Sequence, residues 1–324
     1  MSIPIPHQIE YWYLIVSEND LKYIKTLDGP DYRFRQTDLV ENVFTSNLYV
    51  QTRLSSDQKI FTKQINIFIQ SGMHPAICRF VGFSYFPNRY AYTKFYKNST
   101  LSHILRDIKV GVLHPEWNGT IKSKCVFGIV AALTHLHNLF DDHFPNFSIH
   151  YFSTENIAFN SKFEPKIVNY EFGDEDLISN SNAYIPPELH MDSKGSRKFE
   201  DVWAFGMVLY EILTGNHPYE GKSEDEIKAA IINGELPELP PPSEETDGIV
   251  GIIQNCLEKE PENRPEFFMI FSHLLDLTDD LFPETDKNVY QSYKDSLLIY
   301  TTQTEESVEY MKKNDLEEEQ SNAN

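Results

Sequence analysis

The chain has 324 residues, enough for one large domain or a two-lobed one, and its 40% hydrophobic and 13% aromatic content is that of a folded protein. A formal net charge of −21 repels phosphate backbones and anionic bilayers, which argues against nucleic acid and membrane partners and favours protein partners, basic ones above all. Cys78, Cys125 and Cys256 each lie in an apolar run without a CxxC partner, so they read as buried free thiols of a reducing compartment. The first six residues lack a secretory signal, and no apolar run nears the ~20 residues of a bilayer span, so the expected location is the cytoplasm.

Residues 1–20 read as an extension holding Pro4, Pro6 and an apolar stretch over 11–16. From Leu21 to about Thr93 short strands alternate with turn residues. Leu48 to Val50 is one strand, and Ile77 to Gly82 is another. Between them, Lys59 to Ser71 repeats Ile60, Phe61, Ile65, Ile67, Phe68 and Ile69 in a pattern that predicts a helix. Helices dominate from Ser99 onward. Thr120 to Leu139 carries a buried face of Val126, Ile129, Val130, Leu133 and Leu136, and Glu200 to Thr214 is closed by Gly215. Further helices are predicted over 225–233, 248–257, 265–277 and, beyond Leu277, 288–300; residues 315–324 are polar, acidic and expected to be disordered. The order predicts an α+β fold of two unlike lobes: a small β-rich lobe over about 21–93 with one helix, a hinge at 94–98 and a larger, mainly helical lobe over 99–277, followed by an acidic tail at 278–324.

Several segments resemble the protein kinases, and among them the tyrosine-kinase-like group. Asp201-Val202-Trp203-Ala204-Phe205-Gly206, with Leu209 to Gly215 and His217-Pro218-Tyr219 after it, is similar to the family's D-V-W-S-F-G helix and following turn. Cys256-Leu257, Pro261, Arg264-Pro265 and Phe267 resemble its C-L-x-x-x-P-x-x-R-P-x-F run, and Tyr184 to Glu188 its Y-x-A-P-E. Leu136-His137 resembles part of Y-L-H, His74 to Ile77 resembles H-P-N-I, and Thr93 to Leu101 resembles the hinge. The likeness runs from about Leu21 to Leu277. It implies the two-lobed protein-kinase fold, a buried ion pair between Glu188 and Arg264, and a role for Asp201 in holding the catalytic loop by its backbone.

Phosphoryl transfer in this family needs a glycine loop, a lysine held by a glutamate, metal-binding groups and an aspartate facing the substrate hydroxyl. Of the three loop glycines only Gly29 remains, with Asp31 and Phe34 at the other two positions. A carboxylate there repels phosphate, and Phe34 blocks close backbone approach. The strand lysine aligns with Thr52, since Arg53 would require a one-residue slip to the other face, and the helix glutamate aligns with Gln64. In the catalytic loop Asn156 matches the family's asparagine, but the aspartate position holds Tyr151, with His150 and Ser153 at the arginine and lysine positions. No aspartate lies between Asp142 and Asp174. For the metal-binding D-F-G motif two frames stay open: Asn169-Tyr170-Glu171, favoured because Asn169 stands 13 residues past Asn156, and Glu171-Phe172-Gly173.

These losses imply a pseudokinase, a scaffold or allosteric signalling partner without phosphotransferase activity, binding protein partners such as an active kinase or a basic substrate protein. No cofactor is expected. Two alternatives stay open if the cleft is open to ATP and Mg²⁺: a nucleotide-binding switch that transfers nothing, and a weak Ser/Thr protein kinase using Glu171 and Asn156 as metal ligands. The short activation segment holds Ser179 and Ser181, and the acidic stretch 305–319 is a candidate dock for a basic partner.

Overall fold

Alternating residues between Leu21 and Lys94 pair into a five-stranded antiparallel sheet of order β1-β2-β3-β5-β4: β1 Leu21–Thr26, β2 Thr37–Asn42, β3 Leu48–Arg53, β4 Phe80–Ser84 and β5 Tyr90–Lys94. The computed structural model describes residues 12–27, 37–140, 148–149, 152–168, 181–191, 197–241, 246–277 and 281–301. The chain divides into two units, one of residues 1–73 and 77–97, the other of residues 74–76 and 98–324.

In the first unit helix α1 (Gln58–Ser71) starts where Asp57 accepts hydrogen bonds from the backbone N–H groups of Lys59 and Ile60. It buries Phe61, Ile65, Ile67 and Phe68 on one face. Arg89, in the turn before β5, fastens the start of α1. Its guanidinium donates to the carbonyl of Ser56 (2.7 Å) and to Oε1 of Gln58 (2.9 Å), and lies 4.9 Å from the ring centres of both Phe61 and Tyr85. The described part of the expected extension, residues 12–20, packs within this unit. Ile15 bridges Phe83, and the Val16 N–H donates to the Phe83 carbonyl (2.8 Å). The approach is so close that a Cβ on Gly82 would stand 2.3 Å from the Leu14 carbonyl oxygen. The strand expected at Ile77 begins instead at Phe80, because 74–76 turn away to pack in the second unit.

Among its described residues the second unit combines helices with a three-stranded sheet of β6 (Asn98–Thr100), β7 (Ile157–Phe159) and β8 (Pro165–Ile167). Its helices are α2 (Leu101–Lys109), α3 (Gly119–Phe140), α4 (Pro187–His190), α5 (Lys198–Thr214), α6 (Glu224–Asn233), α7 (Asp247–Cys256), α8 (Phe267–Asp276) and α9 (Lys287–Thr301). α5 is buried nearly all round, and Gly215, at φ 72°, ends it in the left-handed conformation. Cys78 in the first unit and Cys125 and Cys256 in the second are buried free thiols, as expected from their apolar runs.

The apolar core of this unit does not end at Leu277. Leu281 and Phe282 are buried, and α9 lies along α3 with Tyr290, Tyr293, Leu297 and Thr301 turned inward at helical spacing. At one end Thr285 bonds Ser123 (3.0 Å); at the other Thr301 meets Nε2 of His74 (3.3 Å) and the Tyr300 carbonyl meets Nδ1 of His135 (3.1 Å). Burial, with His135 and Lys166 nearby, holds His74 well below the usual histidine range. The acidic composition past Leu277 hid this face in the sequence. Leu297→Ala is expected to cost about 2–4 kcal/mol in urea unfolding, because the helix is held through its apolar stripe. An unchanged midpoint would show α9 to be dispensable.

Candidate functional site

The residues expected to carry phosphate chemistry fall partly outside the described chain. Gly29, His150, Tyr151, Asn169, Glu171 and Ser179 lie outside the described residues, as does the acidic stretch 305–319. Of those that are described, Gln64, Ser153 and Asn156 are hydrogen-bonded within their own loops.

In the first unit Thr52 sits on β3 between Thr37 and Ala91, on the face that also carries Val50. Arg53 is exposed, its side chain turned to the other face by the strand's period of two. Gln64 is buried at 4% exposure, and its Oε1 accepts the Ser55 N–H at 3.1 Å. A glutamine here closes the loop from β3 into α1 with a neutral hydrogen bond. It leaves no buried charge needing a lysine.

In the second unit Ser153 and Asn156 form a reciprocal cap on the single turn 154–156. Oδ1 of Asn156 accepts from the Ser153 N–H (3.0 Å) and the Ser153 hydroxyl (3.2 Å), so both lone pairs of that oxygen are used. Its amide nitrogen points to the Val168 carbonyl (3.5 Å). A Mg²⁺ ion needs oxygens free to coordinate it, and the family's lysine site needs a cation. As placed, Thr52 and Gln64 bring no charge to the first unit, and the Asn156 amide oxygen is already engaged within its own turn. Among the described residues no group of three or more His, Cys, Asp or Glu is placed to hold a metal, and no helix is long and apolar enough to cross a membrane.

The framework residues are intact. Asp201, at the start of α5, accepts from the Ile149 N–H (2.9 Å), the Ser148 hydroxyl (2.9 Å) and Nε2 of His137 (2.9 Å), which fixes the chain at Ser148 and Ile149. Glu188 and Arg264 form a two-pronged pair at 2.7 and 2.8 Å. The remaining N–H groups of Arg264 go to the carbonyls of Phe199 (3.0 Å), Lys259 (3.2 Å) and Glu258 (2.8 Å), and its guanidinium lies 5.1 Å from the Trp203 ring centre. All five donors are satisfied.

One buried group escaped the sequence reading. Glu211, on the inner side of α5, accepts hydrogen bonds from the Tyr184 and Thr154 hydroxyls, tying the catalytic-loop turn to the segment before α4. Among the described residues no cation pairs with it, and burial pushes its carboxyl up to about 8. The signal was a carboxylate in the middle of the apolar run Val208 to Leu213.

Residues 170–274 match the family described as protein tyrosine and serine/threonine kinase. That span holds Glu188, Asp201, Glu211 and Arg264, and it starts after Thr52, Gln64 and Asn156. Over 110 residues the chain is 33% identical to mitogen-activated protein kinase kinase kinase 12 of Rattus norvegicus, covering 34% of this chain and 12% of that protein. Over 210 residues it is 25% identical to the RGS domain-containing serine/threonine-protein kinase A of Dictyostelium discoideum, covering 62% and 17%. Over 94 residues it is 37% identical to the dual specificity mitogen-activated protein kinase kinase mek-1 of Caenorhabditis elegans, covering 28% and 26%. The matches thus span about a quarter or less of these relatives' lengths.

Proposed function

We propose that this chain, which carries a protein-kinase domain in the two-lobed fold of that family, works by binding protein partners in signalling and does not transfer phosphate. The observation that carries this reading is the missing catalytic carboxylate: the sequence puts Tyr151 where the general base belongs and has no aspartate between Asp142 and Asp174. A phenol, with an ordinary pKa near ~10, does not take over that role, and loss of a general base lowers rates by about 10²–10⁴. The use of Asn156 and Gln64 in local hydrogen bonds supports the same reading. So does the pattern of retention: Glu188, Asp201 and Arg264, which hold the fold, are in place, whereas of the groups that would hold phosphate and metal the sequence keeps Gly29 and Asn156 but has Thr52 and Gln64 where the lysine and glutamate belong. The cytoplasmic location and the tyrosine-kinase-like affinity are part of this proposal.

Melting the full chain with and without millimolar ATP and Mg²⁺ tests it, since a ligand at 100 times its Kd stabilises by about 2.7 kcal/mol. No shift is expected. A metal-dependent shift without phosphate incorporation would replace this reading with a nucleotide-binding switch. Labelled phosphate incorporated into protein and abolished by Glu171→Ala would replace it with a weak kinase.

A further inference from the structure

The end of α2 presents an apolar surface that the fold does not use. Val110 is 73% exposed and Leu113 89%, with Val112 and Ile108 beside them at 48% and 39%. Four large aliphatic side chains facing solvent within six positions form a patch, unlike the single exposed residues that any surface carries. The turn that presents them is well built. Gly111, at φ +85°, closes α2: its N–H donates to the Ile108 carbonyl (3.0 Å), and the Val112 N–H donates to the Asp107 carbonyl (2.9 Å). This double closure is a Schellman end. A surface fixed this way loses little conformational freedom on binding.

The neighbouring charges indicate the occupant. Lys109, on the last turn of α2, pairs with Glu220 and so joins the patch to the segment 216–240 of the same unit. That segment carries Glu220, Glu224, Asp225, Glu226, Glu235 and Glu238, all exposed, against Lys222, Lys228 and the joined Lys109, a local charge of −3, with Glu220 and Glu235 paired to Lys109 and Lys222. On the other side, the exposed carboxylate of Glu116, three residues past Leu113, has no cation within ion-pair distance among the described residues. Arg106 and Lys109 are the basic groups at the patch itself, and Lys109 is paired with Glu220. The whole chain carries −21, so a second copy and an acidic partner are both repelled at long range.

We infer that the α2–α3 turn and the acidic shelf beyond Lys109 form a docking surface for a basic peptide segment of a partner protein, with aliphatic anchors on Val110 and Leu113 and Lys or Arg residues over the shelf. The surface lies wholly in the second unit and does not depend on whether nucleotide binds, so its failure and the failure of the proposed function are separable.

A displayed library of random twelve-residue peptides, selected on the full chain, tests this. The peptides recovered are expected to combine aliphatic residues with net positive charge. Synthetic copies should bind at least tenfold more weakly to Leu113→Glu and Val110→Glu and weaken as salt rises. Both positions are exposed, so unchanged melting of the variants serves as the folding control. Recovery of acidic peptides, of peptides that bind Leu113→Glu undiminished, or of none at all would overturn the inference. So would light scattering that finds a dimer dissolved by Leu113→Glu, which would assign the surface to a second copy.

Discussion

Replacing Arg264 with methionine is expected to lower the stability of the second unit by about 3–5 kcal/mol, read from urea unfolding of the full chain, the range found when one partner of a buried ion pair is removed. Arg264 is 3% exposed and Glu188 6%. Methionine fills similar space but leaves the Glu188 carboxylate buried without a cation. It also strips hydrogen bonds from the carbonyls of Phe199, Lys259 and Glu258. The carbonyl losses make a further test. If the pair alone mattered, Glu188→Leu together with Arg264→Met would recover most of the stability, since well-packed apolar substitutes for buried pairs are often neutral. Recovery is expected to be partial, because three acceptors stay unmet in the double variant. Arg264→Lys should fall between, with three donors serving groups that now take five. A single variant within 1 kcal/mol of the parent would mean that the pair is not what joins α4 to the chain leading into α8.

That pair was legible in the sequence for a physical reason that does not extend to the whole site. Glu188, Asp201 and Arg264 act through charge and fixed geometry, so few other residue types can replace them, and their neighbours Pro187, Trp203 and Pro265 make the segments recognisable. The helices were legible for a similar reason: α5 and α1 have long apolar repeats, and Gly215 marks the end of α5, whereas Asp57, which caps α1, stands ahead of the start predicted at Lys59. Gln64 shows where such reading stops. That it stands where the resemblance expects a glutamate could be counted from the sequence, but its bond to the Ser55 N–H depends on how the loop after β3 folds back, which no periodicity records. Arg89 is the same case, a lone arginine in a turn whose partners Ser56, Gln58 and Phe61 lie about 30 residues earlier. For α9 the composition misled. A helix whose outer side is Lys, Asp and Gln reads as a polar tail until Tyr290, Tyr293 and Leu297 are seen against α3. The positions on which the proposed loss of phosphate transfer rests, Tyr151 and the two open frames starting at Asn169 and at Glu171, lie outside the described residues and are read from the sequence alone.

Glu211→Gln is expected to make the protein more stable as pH rises, relative to the parent, across the window from about 4.5 to about 8. The folded carboxyl titrates near 8 because it is buried beside two hydroxyls with no cation among the described residues, whereas the unfolded group titrates near 4.5. Between those values the folded state holds a proton that the unfolded state has released. The parent therefore loses stability with rising pH, by at most about 1.4 kcal/mol per unit for one proton, and the loss levels off above 8. Glutamine keeps the carbonyl that accepts from Tyr184 and Thr154 but never ionises. The two proteins should thus unfold at similar urea concentrations at pH 4.5 and diverge steadily toward pH 8. Tyr184→Phe removes a donor that favours the charged form, so in that variant the falling window should extend to higher pH. Glu155, whose carboxylate also disfavours ionisation of Glu211, acts in the opposite sense: Glu155→Gln should shorten the window. Parallel pH profiles for the parent and Glu211→Gln would mean that the buried carboxyl is ionised at little cost. The tie between the catalytic-loop turn and the segment before α4 would then be held by a charge, and would no longer depend on a neutral acid shared by two hydroxyls.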